Sequence, residues 1–167
     1  MEELKKRKPT RLKYFDYRTN AAYFVTICTQ NRKSILSAIP VGEGSPLPQL
    51  TCYGEIVDKW VKELSNEYPE VSVDRYVIMP NHIHLLLSLI KDNGRGDPSP
   101  TMFGVVGWLK YRATKDINKI NNTQGEKVFQ RSFYDRVIRN RDDYEAIVKY
   151  IHENPECWYY DELYSEG

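Results

Sequence analysis

The stretch YVIMPNHIHLLLSLI, residues 76–90, constrains the fold of this 167-residue chain more than any other. Two strand-like runs, VSVDRYVIMP and HIHLLLSLI, meet at a proline-asparagine turn and read as a β-hairpin. The second run is the most apolar piece of the chain, which predicts a central strand. Side chains alternate along a strand, so His82 and His84 share one face while Ile83, Leu85, Leu87 and Leu89 take the other. The chain has only three histidines, so two at this spacing stand out.

The other elements follow from periodicity. AAYFVTICTQ (21–30) is rich in β-branched and aromatic residues and predicts a first strand. SAIPVGEGSPLPQLT reads as a surface connection or small hairpin excursion, an insertion over about 36–50. YGEIVDKWVKELSNEY places Ile56, Trp60 and Leu64 four apart beside Val57 and Val61, an amphipathic helix ended by Pro69. After the turn-rich KDNGRGDPSP, a second helix carries Met102, Val105, Val106, Leu109 and Ala113 at steps of three and four. Trp60 and Trp108 fall within apolar stripes and are expected in the core; NGRGD (93–97) reads as a plain turn. SFYDRVIRN predicts a further strand, and RDDYEAIVKYIHENP a last helix stopped by Pro155. The order is strand, helix, strand, strand, helix, strand, helix. That is an α+β, ferredoxin-like (split βαβ) antiparallel sheet with helices on one face, plus a C-terminal helix. A single domain over 1–167 is expected, preceded by a basic segment over about 1–18.

Three cysteines without metal-ligand spacing fit a reducing compartment. Nothing approaches a membrane span and the N-terminus lacks an apolar stretch, so a cytoplasmic, non-membrane protein is expected. Charge is segregated: residues 1–18 carry seven basic against three acidic side chains, 101–141 nine against three, and 142–167 one against eight. Such segregation is compatible with a nucleic-acid partner.

Two imidazoles about 7 Å apart along a strand can converge on one divalent ion if a third group arrives from elsewhere. A histidine-triad nucleotidyl hydrolase would need a third alternating histidine, but position 86 is leucine. A two-histidine phosphodiesterase would need paired His-x-Ser/Thr boxes, which are absent; a zinc hydrolase would have only His152 left to call on. On the last helix, Tyr150 and Asn154 are four apart and share a face, whereas His152 points away. Two imidazoles and an amide oxygen with open positions suit Mg²⁺ or Mn²⁺ at a phosphate. Such a site would hold a phosphodiester for attack by Tyr150.

YVIMPNHIHLLL, VFQRSFYDRVIRN and YIHENP, in this order, resemble the single-tyrosine HUH transposases, in particular the REP-associated tyrosine transposases and their insertion-sequence relatives. RLKYFDYRTNAAYFVTICTQNRK is similar to the N-terminal strand region of the same proteins. The resemblance implies that His82 and His84 are the metal-binding histidines, Asn154 a further contributor to the metal site, and Tyr150 the nucleophile. It also implies Mg²⁺ or Mn²⁺, single-stranded DNA beside a hairpin as substrate, and a 5′-phosphotyrosine link with a free 3′-hydroxyl. Homodimers occur among such proteins, so Tyr150 is left to work beside its own histidines or a partner's. Tyr134 is rejected as nucleophile because its segment reads as a strand flank without a polar partner at helical spacing.

A tyrosine hydroxyl has an ordinary pKa near 10 and needs help to attack at neutral pH. Candidate phosphate contacts are Arg11, Lys13 and Arg18 near the N-terminus, Lys110, Arg112 and Lys115 on the second helix, and Arg131, Arg136 and Arg139 around the last strand. Tyr14 and Tyr17 are candidates to stack on unpaired bases. Two other readings stand beside a transposase. One is a non-catalytic ferredoxin-like module that binds single-stranded nucleic acid, although the aromatic signature of an RNA-recognition strand is missing. The other is a domesticated, immobile relative.

Overall fold

In the computed structural model, residues 21–40, 47–90 and 100–165 are described. The basic segment 1–18, with Arg11, Lys13, Tyr14, Tyr17 and Arg18, lies outside the described residues, as does NGRGD. Four long strands, β1 (Ala21–Cys28), β4 (Val71–Ile78), β5 (His82–Leu89) and β6 (Tyr134–Ile138), form one sheet in the order β4-β5-β1-β6. Every pairing is antiparallel. The helices are α1 (Cys52–Lys62), α2 (Leu64–Glu67), α3 (Met102–Asn121) and α4 (Arg141–Glu153). Two short strands, β2 (Ser37–Ala38) and β3 (Gln49–Leu50), pair within the 36–50 insertion. The α+β, ferredoxin-like arrangement expected from the element order is therefore the one observed.

The apolar run of β5 takes the central place next to β1, as its composition demands. Tyr23, Val25 and Ile27 of β1 and Ile83, Leu85 and Leu87 of β5 are fully buried on one face of the sheet. Against them pack Val57, Trp60 and Val61 of α1, Leu64 of α2, and Met102, Val105, Val106, Leu109, Ala113 and Ile117 of α3. Each of the valine, leucine, isoleucine and methionine side chains among them contributes roughly 1.5–3 kcal/mol on leaving water. Trp60 and Trp108 meet edge to face at 5.6 Å, and Trp60 donates to Asp116, so the indole keeps its hydrogen bond while its rings serve the core.

The helix expected over 53–68 breaks after Lys62, and α2 resumes at Leu64. At its start, Thr51 caps the Gly54 amide. A Cβ on Gly54 would lie 2.0 Å from the Leu36 carbonyl oxygen, so α1 docks on the 36–50 insertion through a position that only glycine fits.

The opposite face is covered by α4. Ile147 and Ile151 pack on Leu86 and Ile138 in a second, smaller apolar cluster. Asn140 caps the helix by accepting from the Asp143 amide, and Asp142 and Asp143 stand in its positive first turn. A bulge between Val73 and Arg75 sits at Asp74, whose carboxylate accepts from Ser88 of β5 and, at 3.0 Å, from the Tyr144 hydroxyl of α4. That link fixes the helix above the face bearing His82 and His84.

Candidate metal and nucleophile site

Strand alternation puts His82 and His84 under α4, and neither is a surface residue: their exposures are 0% and 2%. The two rings lie 4.5 Å apart between centroids. Each is held from its Nδ1 side. His84 Nδ1 is 2.8 Å from Thr26 Oγ1, its cross-strand partner on β1. His82 Nδ1 is 2.8 Å from Asn81 Oδ1. The Asn81 amide nitrogen donates to the Leu163 carbonyl at 2.8 Å, which leaves Oδ1 as the acceptor end. His82 therefore carries its proton on Nδ1 and presents a bare Nε2 lone pair, the arrangement that outer hydrogen bonds impose on metal-binding histidines.

Asn154, 2% exposed, follows α4 as its C-cap, one turn after Tyr150. Its Nδ2 donates to Asp161 Oδ2 at 2.9 Å. Three buried atoms, His82 Nε2, His84 Nε2 and Asn154 Oδ1, have no hydrogen-bond partner among the described residues. A buried polar atom left unpaired costs about 1–3 kcal/mol. Three in one place, all able to present lone pairs, fit a divalent cation. His82, His84 and Asp161 each offer a ligand atom within 4.8 Å of the others, so this group can hold a metal ion.

Tyr150 flanks the cluster. Its ring is 5.3 Å from His84 and 5.8 Å from Phe24, and it is 43% exposed. It opens into a cavity of about 540 Å³ lined also by Arg32, Tyr134, Asn154, Tyr160, Asp161 and Glu162. Tyr150 thus stands beside the histidines of its own chain.

Electrostatics follow from burial. Loss of water lowers the His82 pKa to about 4; the Asp161 carboxylate and a hydrogen bond to the Asn154 side chain, available to Nε2 only when the ring is protonated, pull it back up, and Arg32 pushes it further down. Burial, then the charge of His82, holds His84 well below the ordinary histidine range. Both imidazoles are neutral at pH 7, the form that binds metal. Burial raises the Tyr150 pKa, as do the Asp161 and Glu162 carboxylates and, least, Cys157; the Asn154 side chain opposes the rise. The phenol therefore keeps its proton at neutral pH.

The expected phosphate contacts are scattered. The Lys110 ammonium donates to the carbonyls of Gln130 and Arg131, and burial lowers its pKa. The Arg112 guanidinium lies over Trp60 at 4.1 Å, and the Lys115 ammonium over Tyr111 at 6.0 Å. These three belong to α3, across the sheet from the histidines. Arg136 pairs with Asp143 at 3.0 Å, and Arg131 and Arg139 are exposed. His152, also exposed, takes no part in the cluster.

Sequence reasoning missed four contributors. Asn81 adjoins His82 in PNHIH and was available as a signal; Thr26 needed the strand register, and Arg32 and Asp161 needed the tertiary fold.

Buried histidines, an amide oxygen and a neighbouring tyrosine thus meet on a four-stranded antiparallel sheet, an α+β arrangement that can hold a metal ion beside a tyrosine. Residues 17–154 match the family described as "Transposase IS200 like", and the chain belongs to that family. It is 30% identical over 173 residues to an uncharacterized protein of Haemophilus influenzae, spanning 95% of this chain and 93% of that one. The fold is similar to that of a REP-associated tyrosine transposase solved with a REP hairpin, with a TM-score of 0.56, 21% identity, and 87% and 73% of the two chains covered. A putative transposase of Deinococcus radiodurans is similar at a TM-score of 0.49 and 14% identity, over 87% of this chain and 96% of that one.

Proposed function

We propose that the protein is a metal-dependent single-stranded DNA endonuclease and strand transferase that acts at DNA hairpins through a covalent 5′-phosphotyrosine link. The observation that carries this reading is the meeting of three unpaired buried lone pairs beside a half-exposed tyrosine in a chain of a transposase family. His82, His84 and Asn154 would hold Mg²⁺ or Mn²⁺. When bound, the ion supplies Lewis-acid polarisation of a non-bridging phosphate oxygen.

The chain's own groups do the rest. Asn81 and Thr26 fix the imidazoles, and Phe24 and His84 pack against the Tyr150 ring, which limits the directions its hydroxyl can take. Tyr150 Oη attacks phosphorus; an Oη–P bond forms, the bond from phosphorus to the 3′-oxygen breaks, the phenolic proton leaves to solvent and the 3′-oxygen takes one up. The raised Tyr150 pKa makes loss of that proton the step most in need of assistance. Phosphodiester energy is kept in the tyrosine link, so a 3′-hydroxyl can reverse the reaction and rejoin a strand without ATP. In this reading Arg32, which lines the cavity, and the exposed Arg131 and Arg139 would contact the DNA backbone, together with Arg11, Lys13 and Arg18 of the basic N-terminal segment.

The test is incubation with a labelled library of hairpin-flanked single strands and Mn²⁺, followed by denaturing electrophoresis. A covalent adduct lost in Tyr150→Phe and retained in Tyr134→Phe is expected. Salt-dependent binding without an adduct, unaffected by His82→Ala, would instead favour a non-catalytic binding module.

A further inference from the structure

The match to the transposase family ends at residue 154, yet the site does not. Asp161 lies seven residues further on, and its two oxygens have separate tasks. Oδ1 accepts from the backbone amide of Leu163 at 2.7 Å, which fixes the carboxylate locally; Oδ2 accepts from Asn154 Nδ2 at 2.9 Å.

An asparagine amide has two ends of nearly equal size, one donating and one accepting. Only the oxygen end can bind a cation. Inside the site, nothing about the shape of Asn154 selects that end. A carboxylate does, because it can only accept: the NH₂ group must face it, and Oδ1 is left toward the imidazoles. We propose that Asp161 is a positioning residue of the metal centre, which orients the Asn154 amide so that its oxygen faces His82 and His84. The inference rests on the metal reading proposed above. It extends the site into the segment beyond the family match, which also reaches it through the Leu163 carbonyl and the Ser165 hydroxyl, both held by Asn81.

The Asp161 carboxylate also lies near enough to the imidazoles to be a ligand itself. The two roles separate in a double-mutant cycle. A positioning residue acts through Asn154 and loses most of its effect when Asn154 is gone; a direct ligand keeps it.

Mn²⁺ affinity is measured by the electron paramagnetic resonance signal of free Mn²⁺ for the full chain and for Asp161→Ala, Asp161→Asn, Asn154→Ala and the two double variants. Metal-free melting curves report folding. Asp161→Asn is nearly isosteric: the Leu163 amide can take its oxygen, so its NH₂ faces Asn154 and lets that amide turn round. With Asn154 in place, both Asp161 substitutions should weaken Mn²⁺ binding about tenfold, as losses of groups that orient ligands do. In the Asn154→Ala background the loss should be at least threefold smaller. Equal losses in the two backgrounds would overturn the proposal in favour of a ligand or a plain charge effect, and so would unchanged affinity in both substitutions. No Mn²⁺ bound by the unaltered chain, or binding indifferent to His82→Ala, would overturn the metal reading itself.

Discussion

Acidification of the metal-free protein tests the burial of neutral histidines directly. His82 has an ordinary pKa of 6.5 and is lowered to about 4 in the fold, chiefly by burial. Between those values the unfolded chain binds a proton that the folded chain refuses, so stability is lost as pH falls through this window and is complete above it. At pH 4.5 the one group costs between about 2 and 3 kcal/mol, each pKa unit being worth about 1.4 kcal/mol. His84 is displaced in the same direction and adds to the loss. For a domain of this size, about 2–3 kcal/mol corresponds to roughly 4–12 °C in Tm. Carboxylates elsewhere also titrate, so the decisive comparison is with His82→Gln, which keeps a polar side chain but no titrating ring. Melting temperatures from pH 7.5 to 4.5, in the presence of a chelator, should fall more steeply for the unaltered chain. Parallel curves would refute the claim that His82 is buried without its charge.

Four other outcomes are expected. Mn²⁺ at about a hundred times its dissociation constant should stabilise the fold by about 2.7 kcal/mol, seen as a rise in melting temperature that His84→Ala abolishes. Glu162→Gln removes a carboxylate that raises the Tyr150 pKa, so the pH profile of adduct formation should move to lower pH; no movement would exclude that charge. Gly54→Ala drives a methyl into the Leu36 carbonyl and should cost about 1–3 kcal/mol in thermal unfolding. Arg139→Gln should reduce the slope of DNA affinity against salt by about one, whereas Lys110→Gln, whose ammonium is engaged with two carbonyls, should lower melting temperature instead.

The sequence by itself determined the sheet and its two faces. Strict alternation through His82–Leu89 sends Ile83, Leu85, Leu87 and Leu89 to one side and His82, His84 and Leu86 to the other, whatever the partners are. The 3.6-residue stripes of α1 and α3 likewise determined which surfaces those helices bury. Tyr150 and Asn154 were legible as a pair because one helical turn separates them. The break after Lys62 was not, since the apolar spacing runs on through Leu64.

Only the tertiary structure decided what the histidines are. An imidazole on a sheet face is a surface group or a desolvated one depending on what covers it; α4, held by the Tyr144–Asp74 link and the Ile147–Leu86 contact, brings Tyr150 over His84, and Trp158 just beyond it lies against His82. It also decided that Lys110 and Arg112 stand across the sheet from the site, and brought Thr26, Arg32 and Asp161 to it. Such approaches depend on strand register and on the path of the chain after the last helix. Local periodicity does not encode either, because each is set by contacts between residues distant in sequence.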